Sequence, residues 1–450
     1  MNTNNVDVLL GLQWGDEGKG KEVDIKTPQY NITARFQGGP NAGHTLEFDG
    51  IQFIAHTIPS GIFHNMINLI GNGVVIDPVG LSNELFKLID TGKIRWEDIK
   101  NRLLIAKDAT FILPVHRLMD IAEDATKENP IGTTAKGIGP TILDKIGRNG
   151  LFMKDLHKDD FMKKFNTITN QHLLYIQKVL NYDISKAIIK ENGEEYSFEE
   201  YTNTWMESLT TIKEISQIDC HNYIQKALKD GKKILAEGAQ GSLLDIDFGT
   251  YPFVTCSNTI SVGVCKGLGI NPHQIGNIIG VIKAYTTRVG NGPFPTKLTN
   301  KDGEHLAKEG HEVGASTGRP RDCGWLDLPA IKYTISLNGN AENFEMIMTK
   351  LDVLKGLKEL KVCIAYQDKE GNIIADDDFN AGHISQGYTP VYKEFEPWTE
   401  DISKVKKYED LPTVTKTYVE YIEQELGTKI TRIGIGPDRL QTIRKDWLQK

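Results

Sequence analysis

The sequence predicts an α/β protein of alternating strands and helices. Three observations carry this expectation. Short apolar runs of strand length recur along the chain, and most of them open into a glycine-rich loop. One segment, from Lys154 to about Lys233, nearly loses its glycines and spaces its apolar residues helically instead. The 450 residues are 39% hydrophobic and 25% charged, which suits an ordinary soluble chain with a large core.

The first strand is expected at Val6 to Leu10, followed by Gly11-Leu-Gln-Trp-Gly-Asp-Glu-Gly-Lys-Gly-Lys21 and then a helix carrying Val23 and Ile25. Strand, glycine turn and helix present backbone N–H groups and a helix N-terminus to a phosphate. Gly15 to Lys21 fits G-x-x-x-x-G-K, but Glu22 stands where a phosphate-binding loop needs Ser or Thr for magnesium. A carboxylate inside the loop, Asp16, has two available jobs: metal ligand, or base for a nucleophile that meets the phosphate.

A second strand, Ile32 to Phe36, leads to Gln37-Gly-Gly-Pro-Asn-Ala-Gly-His-Thr45, where His44 is the group that titrates near neutrality. Asn68 to Ile76 reads as a strand ending in a turn at Asp77-Pro78. Its D-x-x-G match (Asp77 to Gly80) carries no weight, because Asp144 to Gly147 and Asp368 to Gly371 fit equally. Leu103 to Ile105 is another strand, with a helix around Val115 to Glu123. The loop Ile131 to Thr141 offers two hydroxyls, a lysine and free amides. It suits a phosphate monoester or a surface lid, and spacing does not separate the two.

In the helical segment, Phe161, Phe165, Ile168, Leu173-Leu174, Ile176 and Val179-Leu180 are read as core stripes of an inserted subdomain, 154–233. Strand character returns at Lys233 to Ala236, before Glu237-Gly-Ala-Gln-Gly241. Gln240 both donates and accepts, as a purine edge or a reacting phosphate oxygen requires. Gly314-Ala-Ser-Thr-Gly-Arg-Pro-Arg321 sets two arginine forks in glycine turns, the pattern of an anion site. Phe344 to Met348 delivers Thr349-Lys-Leu-Asp352, the [N/T]-K-x-D form of a guanine reader. Its carboxylate accepts from guanine N1–H and the 2-amino group. Ile433 to Arg439 is one more glycine loop able to approach a base closely.

Composition narrows the class. A net charge of −8, with no basic segment interleaved with aromatics, argues against nucleic acid. Five cysteines without C-x-x-C suit a reducing compartment. No run of 18 apolar residues and no basic leader are present, so a cytoplasmic protein without a membrane span is expected. Two classes fit the loops: a GTP-binding regulator, and an enzyme that uses GTP to activate a small molecule. The extra carboxylate and the several anion loops favour the enzyme.

Taken together, Gly11 to Lys21, Gly38-Gly-Pro-Asn-Ala-Gly-His-Thr45, Ile131-Gly-Thr-Thr134, Glu237 to Gly241, Gly249-Thr-Tyr-Pro-Phe-Val-Thr255, Thr317-Gly-Arg319 and Thr349 to Asp352 resemble the adenylosuccinate synthetase family, in order along the chain. The fold expected is one catalytic domain over 1–450: a large, mostly parallel central sheet with flanking helices, a P-loop-like nucleotide site and the helical insertion. The resemblance implies ligation of IMP and L-aspartate at the expense of GTP, with magnesium and a 6-phosphoryl-IMP intermediate. It implies Asp16 as base, His44 as acid and Gln240 on the transferring group, with Asp16 and the Gly43 carbonyl holding the metal.

By the same resemblance, the nucleotide would meet Gly15, Glu17, Gly18, Lys19, Gly20, Lys21, Gly43, Thr45 and Arg321. The guanine would meet Lys350, Leu351, Asp352, Gly434, Ile435 and Gly436. IMP would meet Asn41, Thr134, Gln240, Thr255 and Arg319, with Arg148 reaching over from a partner subunit of a homodimer. The aspartate would fall to Ala315, Ser316, Thr317, Gly318, Arg319 and Arg321. Pro40, Ala135-Lys136, Ser316, Asp322 and Gly434 depart from the family's frequent residues, Asp322 by replacing a basic one.

Overall fold

The computed structural model describes residues 5–128, 132–314, 318–339 and 344–445. Ten strands form its central sheet. In chain order they are β1 (Val6–Gly11), β2 (Ile32–Arg35), β3 (Ile67–Ile70), β4 (Leu103–Ala106), β5 (Ser216–Ile218), β6 (Ile234–Glu237), β7 (Ile275–Lys283), β8 (Phe344–Thr349), β9 (Ile430–Gly434) and β10 (Thr442–Arg444). Across the sheet they run β5-β4-β3-β2-β6-β1-β7-β8-β9-β10. Every pairing is parallel except the last, β9 with β10.

Strands covered on both faces need near-continuous apolar runs, and these have them. Val6, Val8, Leu9 and Leu10 of β1 are buried, as are Ile279, Val281 and Ile282 of β7 and Met346, Ile347 and Met348 of β8. Register then decides where the loops go. Glu237 of β6 lies opposite both Leu9 and Arg35, Lys283 opposite Thr349, and Met348 opposite Ile433. The carboxyl ends of β2, β6, β1, β7, β8 and β9 therefore finish together. Their glycine loops share one edge, the place where parallel sheets bind ligands.

Helix α1 (Lys19–Lys26) follows the first loop and meets the hairpin His44–Phe48/Ile51–Ala55. Contact is close because Gly20 has no side chain: a Cβ there would lie 2.6 Å from His44 Cβ. The Leu103-Leu104-Ile105 strand is observed as β4. The helix expected around Val115 is α2 (Pro114–Thr126), and α3 (Ile138–Ile146) follows the third glycine loop.

The 154–233 segment carries α4 (Phe161–Lys178), α5 (Phe198–Lys213) and a third helix, Cys220–Lys229. It also holds a small hairpin, Ile189–Glu191/Glu194–Tyr196, and the edge strand β5. Trp205 of α5 anchors it. The indole packs 5.8 Å from Phe111, 6.5 Å from Phe161 and 5.2 Å from Phe165, and its Nε1–H donates to the Ile112 carbonyl at 2.8 Å. Phe161, Phe165, Ile168 and Ile176 are core as expected. Leu174 and Val179 are not. Both are exposed: Leu174 lies on the helix face opposite Phe161, Phe165, Ile168 and Ile176, and Val179 caps the helix just past its last residue, Lys178. Among the described residues no helix is long and apolar enough to cross a membrane.

Candidate active site

The converging loops line one cavity of about 850 Å³. Residues from the glycine loops and the guanine-type motif face it together: Gly15, Asp16, Gly18, Lys19, Gly20, Lys21, Asn41, Gly43, His44, Thr45, Thr134, Gln240, Thr255, Arg319, Arg321, Lys350, Asp352, Gly434 and Gly436.

The phosphate-type loop is built around Glu17, which lies under the cavity rather than in it. Its buried carboxylate accepts the N–H groups of Gln13 (3.1 Å) and Gly15 (2.9 Å) and pairs with Lys19. Thr349, at the end of β8, donates its hydroxyl to the Glu17 carbonyl at 2.6 Å, tying the loop to the strand that carries Lys350. Gly18 caps α1 at φ 86°, a left-handed conformation that favours glycine. Lys21 does something a phosphate-loop lysine does not. Its ammonium donates to the carbonyls of Gly436 (2.7 Å) and Gln441 (2.9 Å), bracing the loop after β9. Arg439 reinforces that brace by reaching Asp24 at 2.8 Å and lying 4.0 Å over Phe48.

His44 begins the hairpin and is buried. Its Nδ1 lies 2.5 Å from Glu237 Oε1 at the end of β6. Glu237 in turn accepts from Ser60, N–H at 2.8 Å and O–H at 2.6 Å. Burial lowers the His44 pKa, while the Glu237 hydrogen bond and charge oppose that shift. The carboxylate also orients the ring by holding it through Nδ1.

Gln240 sits in a strained position, φ 57°. Both atoms of its amide are enclosed without a hydrogen-bond partner among the described residues. An unpaired buried amide costs free energy, and one facing a cavity is satisfied by what binds there. Asn41 Oδ1 and Asp352 Oδ1 are in the same condition. Burial also raises the Asp352 pKa, with Lys350 and Lys21 opposing. Across the cavity, Arg319 donates to the Gly132 carbonyl at 2.8 Å and so links the third loop to the arginine loop.

Arg321 bridges two carboxylates, Asp16 (2.9 Å) and Glu312 (2.7 Å). Glu312 is fully buried and also accepts from Lys283 (2.8 Å) and Lys350 (3.0 Å). Burial alone would raise its pKa. The charges of Lys283, Lys350 and Arg321 outweigh that and hold its carboxyl below the usual range. Lys283 itself is pushed down to about 8 by burial.

The remaining expected residues lie elsewhere. Leu351 is buried core, and Ile435 is held by its N–H to the Gln441 carbonyl. Gly18 and Gly318 both take positive φ, but only Gly18 faces the cavity. Arg148 stands exposed after α3, outside this cavity. Asp322 points to Lys297 at 2.8 Å and does not line the cavity. Ala315, Ser316 and Thr317 fall outside the described residues. In the sequence Glu237 stands out only as part of a glycine motif, and Glu312 and Lys283 do not stand out. The only sequence signal for Glu237 was its place at the end of an apolar strand. Glu312 gave none, since its partners are distant in the chain.

Comparison with known proteins agrees with the geometry. The adenylosuccinate synthetase family model matches residues 8–443. Adenylosuccinate synthetase of Christiangramia forsetii is 51% identical over 444 residues, covering 98% of this chain and 100% of the relative. That of Flavobacterium johnsoniae is 49% identical over 442 residues, with 98% and 100% covered. Among solved structures, fully ligated adenylosuccinate synthetase from Plasmodium falciparum superposes with a TM-score of 0.85 at 36% identity, covering 98% of this chain and all of that one. The chain belongs to the adenylosuccinate synthetase family, and is a GTP-dependent ligase of IMP and L-aspartate in AMP biosynthesis.

Proposed function

We propose that the ligation runs in two steps within the one cavity, with Asp16, His44 and Gln240 as the reacting residues. Asp16 takes the proton from N1 of the IMP base, and O6 attacks the γ-phosphorus of GTP. The bond to the β–γ bridging oxygen breaks, and His44 meets the charge that develops on departing GDP. The aspartate amine then attacks C6, and phosphate leaves carrying O6. The observation that carries this reading is the set of unpaired buried polar atoms, on Gln240 and Asp352, opening into the cavity that also holds Asp16 and His44.

Gly15, Gly18, Lys19, Gly20, Gly43 and Thr45 would cradle the phosphates, while Lys350, Asp352, Gly434 and Gly436 would read guanine. Lys21 and Glu17 serve the same site by bracing its loops. Asn41, Thr134, Thr255 and Arg319 would hold IMP, and Arg321 with the arginine loop the aspartate carboxylates. The Asp16 carboxylate and the Gly43 carbonyl are hard oxygens on the cavity wall, a donor set that suits magnesium. When bound there, the ion would neutralise phosphate charge. A homodimer in which Arg148 enters the partner's cavity accounts for an exposed arginine beside the exposed Leu143 and Ile146 of α3. The five free cysteines fit the cytoplasm.

Phosphate release from GTP tests the reading. Release should require both IMP and aspartate, and Asp16→Asn should be silent. Slow GTP hydrolysis indifferent to both co-substrates would overturn it.

A further inference from the structure

Glu312 carries no role in the reaction as written, yet it is the most heavily contacted acid near the cavity. Its Oε1 accepts from Lys350 at 3.0 Å and from the Tyr285 hydroxyl, and its Oε2 accepts from Arg321 at 2.7 Å. Lys283 bonds both oxygens, at 2.8 and 2.9 Å. Tyr285 and Lys283 are themselves buried, so the plane of this carboxylate is locked from below. Its upper contacts lead to two different parts of the cavity. Lys350 belongs to the base-reading motif, and Arg321 grips Asp16 Oδ2 at 2.9 Å.

We propose that Glu312 is a positioning residue that couples occupancy of the guanine pocket to the alignment of Asp16. One rigid carboxylate holds Lys350 by one oxygen and Arg321 by the other. A base that settles Lys350 therefore settles Arg321, and through it the Asp16 carboxylate. By linkage, substrate that engages Asp16 tightens the guanine pocket in return. The coupling needs no moving domain, only a buried acid shared by two cations. It rests on the reading of Asp16 as the base.

Glu312→Gln tests it, because the amide turns an N–H toward one of the two cations and loses that grip. In the full-length enzyme the expected result is a KM for GTP raised at least about fivefold and a kcat lowered at least about tenfold, with the KM for IMP within about twofold of wild type. A residue that only supports the fold would lower the melting temperature and the number of active sites. It would leave kcat per site and the KM for GTP unchanged, and that result overturns the proposal.

If the variant does not fold, a double-mutant cycle replaces it. Lys350→Met and Arg321→Met remove two cations that cannot bond each other. Coupled through Glu312, the double variant should lose less kcat/KM for GTP than the product of the singles, by at least about fivefold. A multiplicative result overturns the proposal. Wild type that hydrolyses GTP without IMP would instead sink the assignment of Asp16, so the two failures are distinguishable.

Discussion

At the scale of single residues, the site works through atoms that the protein itself leaves unpaired or pairs in one way. Asp352 has a buried oxygen awaiting a donor. On the proposed guanine reading, Asp352→Asn keeps the shape but swaps an acceptor for a donor facing guanine N1–H or the 2-amino group. The KM for GTP should rise about tenfold or more, since a mispaired buried group costs about 1–3 kcal/mol. Xanthosine triphosphate, with an oxygen at C2, should lose far less, and steady-state kinetics with both nucleotides decides. His44 gives a prediction in pH. Its pKa is lowered by burial and raised by Glu237. In the acid role proposed for it, His44 acts while protonated, so activity should fall as pH rises through that pKa. Glu237→Gln removes the raising influence and should move the alkaline limb of the kcat profile to lower pH, by at least about one pH unit. An unmoved limb would free His44 of its acid role.

Elements are what put these residues within reach, and two contacts matter most. Gly20 lets α1 lie against the hairpin that begins at His44. Gly20→Ala should cost about 1–3 kcal/mol in denaturant unfolding by overpacking, and should lower kcat more than the stability loss explains. Trp205 pins the 154–233 segment to the main body through Phe111 and the Ile112 carbonyl, and packs within the segment against Phe161 and Phe165. Trp205→Ala should remove about 3–5 kcal/mol, read from the urea midpoint.

This scale also shows how far the sequence could be read. The strands were legible because burial on both faces writes unbroken apolar runs, as in Val6 to Leu10 and Phe344 to Met348. The hairpin at Asn192-Gly193 had its signal too, an Asn-Gly pair at φ 53° and 84°. A helical composition around it hid that signal. Leu174 departs from its expected core place because a broad apolar stripe blurs helical phase, and Val179 because no residue in the sequence marks the helix end at Lys178.

The whole molecule gathers these parts on one edge of a parallel sheet. Motif spacing disclosed which loops would converge, since ligands gather at the carboxyl ends of such strands. It could not disclose Glu312, whose partners Lys283, Arg321 and Lys350 meet only in three dimensions, nor the turn of Lys21 toward Gly436.

The His116, Asp144 and His172 trio is a further tertiary product, with ligand atoms within 4.8 Å of one another. It is a hydrogen-bond clasp rather than a metal site. His116 Nδ1 accepts the Leu113 N–H at 3.0 Å, so Nε2 carries the proton given to Asp144 at 2.8 Å. Burial lowers the His116 pKa. Below about pH 6.5 the unfolded chain takes up a proton that the folded chain refuses, and stability contributed by His116 is lost as pH falls. The gap between wild type and His116→Gln should therefore close below that pH, by up to about 1.4 kcal/mol per pH unit in paired urea titrations.

The central claim is that this one cavity uses GTP to activate O6 of IMP. IMP labelled with oxygen-18 at O6 tests it most directly, in a complete reaction with GTP and aspartate followed by mass analysis of the released phosphate. Attack by O6 on the γ-phosphorus and departure of phosphate from C6 predict that the label appears in phosphate, one atom for each adenylosuccinate formed. Unlabelled phosphate accompanying that product would mean that O6 never met the γ-phosphate, and the account would be wrong at its centre.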